Sequence, residues 1–92
     1  MAGIGGKTHP RELHVRAAFA RVLVELREKR HLTQEALAFE SGYHPKYISL
    51  LERRKHTPTL TAVLEIAAAL KVSPSYLVRR IRKLLPRVHR VY

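Results

Sequence analysis

The sequence predicts an all-α domain of five short helices, and three observations lead to that fold class. Apolar residues recur at spacings of three and four, the period of a helix with one buried face. Proline follows a potential capping residue at several points, which is typical of helix starts. The alternation of apolar and polar residues that a half-buried strand requires does not occur in the sequence.

The first helix is predicted from Pro10 to about Arg30. Proline suits the first helical turn, because the N–H that it lacks has no partner there. Residues 1–9 contain three glycines and little apolar content, so they are interpreted as a flexible N-terminal arm. The apolar stripe of this helix consists of Val15, Phe19, Val22 and Leu26.

The second helix is short and ends at a glycine. Thr33 is a suitable N-cap for a helix over residues 34–41, in which Leu37 and Ala38 face inward. Gly42 follows at the position where helices commonly end with a positive φ.

A third helix begins within a few residues of that glycine. His44 would cap it and Pro45 would be its first residue, so this proline starts a helix and does not interrupt one. Ile48 and Leu51 point to the core. The outward residues are Lys46, Ser49, Leu50 and Arg53.

Two further helices follow a loop over residues 54–58. Thr59 can cap the fourth helix, Ser73 and Pro74 repeat the starting signal for the fifth, and Pro86 ends it. The fourth helix is expected to bury Leu60, Val63, Leu64, Ala67 and Leu70, and the fifth helix carries Leu77, Ile81 and Leu84.

Length and composition limit the class of protein. Ninety-two residues suffice for one compact domain, predicted over residues 10–85 and followed by a basic tail over 86–92. No apolar run approaches the roughly 20 residues that span a bilayer, and the N-terminus lacks the order of a secretory signal, so a cytosolic chain is expected. The absence of cysteine excludes disulfides, thiolate metal sites and a cysteine nucleophile.

Charge is the strongest signal in the composition. Eighteen Lys and Arg residues stand against seven acidic residues, which gives a formal net charge of +11. Such an excess repels itself and is commonly tolerated where the partner is a polyanion. Nucleic acid is therefore the leading predicted partner, and an anionic membrane surface is the weaker alternative.

Two short helices joined through a glycine, inside a small basic helical domain, indicate a helix-turn-helix. A helix about 10–12 Å across fits the major groove of DNA. The preceding helix crosses the backbone and sets the depth of insertion. The second helix of the pair then needs a polar outer face and an inner face anchored in the core.

Four motifs occur in one order along the chain. They are LTQEALAFESG at 32–42, ISLLER at 48–53, TPTL at 57–60 and IAAALKVS at 66–73. Together they resemble the phage-repressor-like helix-turn-helix regulators of the xenobiotic-response-element (XRE) type. The YHPKYIS segment is most similar to restriction–modification controller proteins and small repressors. The resemblance implies a lambda-repressor-like fold and a sequence-specific DNA-binding transcriptional regulator, either a repressor or a controller protein.

The resemblance also implies roles for matching positions. Gln34 would bind a phosphate and steady the recognition helix, and Arg27 and Glu52 match a family pair that forms a buried salt bridge. The implied base-facing residues are His44, Pro45, Lys46, Ser49 and Leu50. The implied backbone contacts are Thr33, Gln34, Tyr47, Arg53, Arg54, Lys55 and Thr57.

Three positions depart from the family pattern. His31 and Arg54 stand where relatives usually have glycine, so each is expected to hold a positive φ or to shift a loop. Pro45 stands where some relatives carry a base-reading side chain. It can offer only an apolar contact, for example to a thymine methyl group.

Dimerisation is expected from the same resemblance. One recognition helix reads few base pairs, and related proteins therefore pair to place two such helices about 34 Å apart on a palindromic operator. The fifth helix is the candidate dimer surface, although some of its apolar residues must close the monomer core. The candidate residues are Tyr76, Leu77, Ile81 and Leu84.

Catalysis, metal binding and a small-molecule cofactor are not predicted. The GGKT segment at 5–8 lacks the earlier glycine and the strand of a phosphate-binding loop, and the histidines lack metal-ligand spacing. Three other classes stay open: an antitoxin of a toxin–antitoxin pair, a protein-interaction module similar to multiprotein bridging factors, and a basic RNA-associated protein. Phe39 faces away from the inward side of the second helix. Packing on the N-terminal arm or on the first helix is the favoured role for this ring, and contact with a protein partner is the weaker alternative.

Overall fold

The structure is a computed structural model that describes residues 9–86, and these fold into five helices. They are α1 (Pro10–Lys29), α2 (Gln34–Ser41), α3 (Pro45–Glu52), α4 (Leu60–Ala69) and α5 (Pro74–Leu84). The prediction of an all-α fold with five helices is confirmed. The predicted N-terminal arm, apart from His9, and the predicted tail, apart from Pro86, lie outside the described residues.

Each helix starts on a side chain that accepts a hydrogen bond from a backbone N–H. Such caps satisfy donors that the first turn would otherwise leave unpaired. Prolines follow three of the caps at the first helical position, as predicted. The five capping residues are His9, Thr33, His44, Thr59 and Ser73.

Four residues hold left-handed backbone conformations in the turns between helices. Gly42 ends α2 with φ 83°, at no steric cost. His31 and Arg54 have φ of 57° and 63°, so these side chains adopt the conformation for which the family usually supplies glycine. Lys71, between α4 and α5, has φ 63° and was not anticipated. Each non-glycine residue of this kind costs roughly 1–2 kcal/mol.

The core is formed by helices that pack on one another in pairs, with α1 against α3 and α5. α3 packs on α1 and α2, α2 also packs on α4, and α5 packs on α1 and α4. This arrangement seats the inner face of α3 in the centre of the domain, as the sequence predicted. The largest fully buried side chains are Phe19, Val22, Leu23, Leu37, Ile48, Leu51, Ile66 and Leu77.

The predicted inward stripe of α4 is partly wrong. Leu60 is 75% exposed and Leu64 is 45% exposed, whereas Ala67 and Leu70 are buried as expected. The helix instead turns a face of small residues and one isoleucine to the core, because α2 and α5 approach it closely. The buried residues of this helix are Ala62, Ile66, Ala67 and Ala69.

The candidate dimer surface on α5 also needs correction. Leu77 is completely buried and Ile81 is 9% exposed, so both belong to the core of this chain and are not available to a partner. Tyr76 is half-buried, and its hydroxyl accepts a hydrogen bond of 3.0 Å from Arg80. Leu84 is 39% exposed.

Between residues 9 and 86 no single helix is long and apolar enough to cross a membrane. Helices α4 and α5 meet the length and composition requirement only as a pair bent by 111°.

Candidate nucleic-acid interface

The N-terminal end of α3 is exposed. His44 accepts a hydrogen bond of 3.0 Å at Nδ1 from the backbone N–H of Lys46, which fixes the first turn. Because Nδ1 is an acceptor, the neutral ring carries its proton on Nε2. His44 and Lys46 are exposed and Pro45 is half-buried. The end of α3 predicted to enter the groove is therefore accessible.

The opposite face of α3 is anchored. Ile48 and Leu51 are completely buried among α1 and α2 residues. Since α3 is only eight residues long, about 12 Å, two buried anchors fix the rotation of the helix about its axis. The outward face is then determined, and it contains Lys46, Ser49, Leu50 and Arg53.

Two of those outward residues are less available than expected. Ser49 and Leu50 are half-buried. The Ser49 hydroxyl accepts a hydrogen bond of 3.2 Å from Nε of Arg53, one turn later. Ser49 keeps its O–H for donation, and Leu50 offers only part of its side chain for an apolar contact.

The exposed charge of α3 and the loop after it is entirely positive. Lys46, Arg53, Arg54 and Lys55 are exposed, and the one acid in this stretch, Glu52, has a side chain only 7% exposed. A concentration of cations on a surface attracts phosphate and releases counterions from DNA. This segment therefore has the electrostatics of a DNA contact.

Glu52 is the centre of a hydrogen-bond network that joins α1, α2 and α3. Arg27 donates to it from Nε at 2.6 Å and from Nη2 at 3.1 Å. Gln34 Nε2 donates to the same carboxylate at 2.8 Å. Arg27 also donates from Nη1 to the Leu32 carbonyl at 2.7 Å. The structure thus contains the expected Arg27–Glu52 pair.

The hydrogen bond with Glu52 raises the pKa of Arg27 above its ordinary value, against the opposing effect of burial. A raised folded-state pKa gives stability that is complete below the unfolded value and is lost only as pH rises through the folded one. The cation therefore persists through all but strongly alkaline solutions.

Gln34 retains a second N–H on Nε2, which leaves one donor for the expected phosphate contact.

Aromatic side chains support the start of α3. The rings of Tyr43 and Tyr47 lie 4.9 Å apart between centroids, and His56 lies 6.3 Å from Tyr47. Both tyrosines are half-buried against the core. Tyr47 thus links the turn before α3 to the loop after it, and only part of the side chain is free for the expected backbone contact. Sequence reasoning gave Tyr43 no role, because its partner lies on the next helix.

Arg54 borders a recess between α1 and the end of α5. The recess has a volume of about 220 Å³ and is lined by His14, Arg21, Arg54 and Leu84, with two alanines of α1 and Pro86. Positive charge therefore continues from the loop onto α1. Leu84, expected at a dimer surface, faces this recess.

Thr57 has a different environment from the one expected. Its hydroxyl donates to Glu12 Oε2 at 2.6 Å and accepts from Arg16 Nε at 2.7 Å, and the residue is half-buried. This hydroxyl is already engaged within the chain.

Thr33 is exposed, but its side-chain oxygen caps α2 by accepting a hydrogen bond of 3.0 Å from the backbone N–H of Ala36.

Across residues 9–86, no group of three or more His, Asp or Glu side chains is placed to hold a metal ion. Every buried side-chain nitrogen and oxygen in this part of the chain has a hydrogen-bond partner.

Comparison with known proteins identifies the family. A family model described as helix-turn-helix, HTH_3, matches residues 23–77. The chain belongs to this family. Its fold and family are those of helix-turn-helix transcription regulators, as the resemblance to XRE-type proteins implied.

One curated relative is an uncharacterised HTH-type transcriptional regulator, y4dJ, from Sinorhizobium fredii. It is 44% identical over 48 residues, which is 52% of this chain and 62% of that protein. The helix-turn-helix chain thus matches less than two thirds of the length of that relative.

Solved structures of other proteins are also similar to this chain. The restriction-modification controller protein C.AhdI from Aeromonas hydrophila is 37% identical with a TM-score of 0.65, covering 67% of this chain and 94% of its own. The wild-type controller protein C.Esp1396I is 25% identical with a TM-score of 0.71, covering 82% and 96%. The clp gene regulator ClgR from Corynebacterium glutamicum is 25% identical with a TM-score of 0.70, covering 75% and 73%. Similarity to controller proteins, expected from the YHPKYIS segment, is confirmed.

Proposed function

We propose that this helix-turn-helix protein is a sequence-specific DNA-binding transcriptional regulator that acts as a homodimer on a palindromic operator, in the manner of a repressor or controller protein. We place it in the cytoplasm, on the nucleoid. One observation carries the proposal: the exposed N-terminal end of α3 leads a surface whose exposed charges are all cationic. Lys46 would read bases with support from His44 and Pro45, and Arg53, Arg54 and Lys55 would contact phosphates.

The proposed dimer needs a self-complementary apolar surface. Two candidates among the exposed apolar residues are the pair Leu60 and Leu64, one turn apart on α4, and Leu84 at the end of α5. The α5 surface, with Tyr76, fits the expectation from sequence. Sedimentation of Leu64→Lys and Leu84→Lys variants distinguishes the two, because a charge at the true interface dissociates the dimer and leaves the monomer fold intact.

Selection of bound duplexes from a random DNA pool tests the proposal directly. The expected product is a palindrome whose half-sites are about 10 base pairs apart, since two recognition helices meet successive turns on one side of DNA. The logarithm of the affinity should fall steeply with the logarithm of the salt concentration. A random pool that yields no preferred sequence would count against base reading.

Lys46 is the residue on which base preference should depend most. Lys46→Ala should weaken operator binding by roughly 1–3 kcal/mol and relax the preference at one position. Lys71→Asn is a matched control, because it removes the same charge at a left-handed position that asparagine tolerates. Equal losses of operator affinity in the two variants would show that Lys46 acts only through its charge.

The exposure of Phe39 favours a second candidate. This ring is 88% exposed on α2, and large exposed aromatic residues are enriched at protein interfaces. An antitoxin, which binds both DNA and a partner protein, would use such a residue. Co-purification with the products of neighbouring genes, compared between wild type and Phe39→Ser, would distinguish this role from that of a regulator alone.

A further inference from the structure

The link between Thr57 and α1 connects parts of the chain that are far apart in sequence. Glu12 and Arg16 lie in the first two turns of α1, 45 and 41 residues before Thr57. Arg16 Nη2 also lies 3.8 Å from Glu12 Oε2, so the three side chains form a closed triangle. All three are partly buried, which limits competition from water.

This triangle holds the loop between α3 and α4, residues 53–59. Backbone hydrogen bonds fix the first half of the loop, from the N–H groups of Arg54 and Lys55 to carbonyls of α3. Thr59 caps α4 at the far end. Between these two ends, the side chain of Thr57 ties the loop to α1.

We propose that Glu12, Arg16 and Thr57 form a clamp that positions the cations of the α3–α4 loop for phosphate contact. The inference rests on the proposed function. It replaces the expectation that Thr57 itself contacts DNA, and it assigns roles to Glu12 and Arg16 that the helix-turn-helix motif does not include. Thr57 is thus a positioning residue: it holds the half of the loop beyond the backbone hydrogen bonds to α3 and so limits the movement of the adjoining cations, Arg54 and Lys55.

The charge of Glu12 allows a positioning role to be distinguished from simple electrostatic repulsion of DNA. A carboxylate near a phosphate-binding loop repels DNA, so removal of its charge alone should strengthen binding. If the carboxylate holds the loop in place, its removal should weaken binding instead. The sign of the change in affinity therefore separates positioning from simple electrostatics.

The experiment compares Thr57→Val, Glu12→Ala and the double variant in binding to the selected operator. Each single variant should lose roughly three- to tenfold in affinity, the equivalent of one or two net hydrogen bonds. The double variant should lose little more than either single variant, because both break the same link. Thr57→Ser, which keeps the hydroxyl, should bind like wild type. Thr61→Val, at an exposed threonine of α4, is the matched control.

A readout without DNA keeps the clamp testable even if the proposed function fails. Backbone ¹⁵N relaxation of the free protein should show lower order parameters for Lys55 to Thr57 in Thr57→Val than in Thr61→Val, with the helices unchanged. Unchanged order in the loop, additive losses of affinity, or an increase in affinity on Glu12→Ala would each overturn the clamp. A wild-type protein that has the ordered loop and no operator would overturn the function and leave the clamp standing.

Discussion

Removal of the Glu52 carboxylate should be one of the most destabilising changes to a polar residue of α3. Glu52→Ala deletes the acceptor of two hydrogen bonds from Arg27 and one from Gln34. The Arg27 side chain, which is 14% exposed beside Glu52, then keeps the Leu32 carbonyl as its remaining acceptor in the network. Breaking a buried pair from one side costs about 3–5 kcal/mol, because the other charge stays buried without its partner.

The low end of that range applies to Glu52→Ala. Arg27 keeps one good hydrogen bond and some contact with water, so we expect a loss of about 3 kcal/mol in the free energy of unfolding. For a domain of this size each kcal/mol lowers Tm by about 4–8 °C, so Tm should fall by roughly 12–24 °C. Urea and thermal unfolding followed by circular dichroism measure both quantities.

Glu25→Ala is the control for this prediction. Glu25 and Arg80 approach to 2.7 Å, nearly as closely as the 2.6 Å of the buried pair, but their side chains are 55% and 27% exposed. An exposed pair contributes less than about 1 kcal/mol. Replacing both members of the buried pair, as Arg27→Met with Glu52→Leu, should recover much of the loss, because no lone charge remains. Equal losses for Glu52→Ala and Glu25→Ala would refute the argument that burial sets the cost.

Three further changes test the fold. Gly42→Ala should lower the free energy of unfolding by about 1–2 kcal/mol because of its φ of 83° alone, since no atom lies within 4 Å of the new Cβ. Gly42→Asn should lower it by less. Ile66→Ala should lose about 2–5 kcal/mol, whereas Leu60→Ala on the same helix should lose well under 1 kcal/mol, because only the isoleucine is buried. His44→Ala should lose about 1 kcal/mol and His44→Asn almost nothing, since asparagine restores the cap of α3. Chemical denaturation at low protein concentration measures all of these, and a tolerated Ile66→Ala would contradict the assigned core.

Most of the fold could be predicted because its signals are local. Thr33 and His44 cap the helices that they were expected to cap, and Gly42 has the positive φ that its place required. These features depend on a few neighbouring residues, so the sequence contains the whole interaction. The exposed first turn of α3 follows from the same local rules, together with the buried positions of Ile48 and Leu51.

Sequence reasoning was incomplete where a residue's environment depends on distant parts of the chain. Leu60 and Leu64 continue a regular helical stripe in sequence, but α2 and α5 cover a different arc of α4. The family resemblance implied a DNA-backbone contact for Thr57, which lies in the loop after α3. Its hydroxyl is instead bound by residues more than 40 positions away, which no local pattern can reveal.

The sequence by itself determined where the helices begin and end, which face of α3 is anchored, and the excess of positive charge. Caps, prolines and apolar spacing act within one or two turns, and charge is a sum over residues. The tertiary structure alone decided which leucines are covered, that Thr57 is bonded to α1, and that Glu52, the one acid of α3 and the loop after it, is buried against Arg27. Those outcomes depend on the angles at which helices pack, and packing angles are a property of the whole chain.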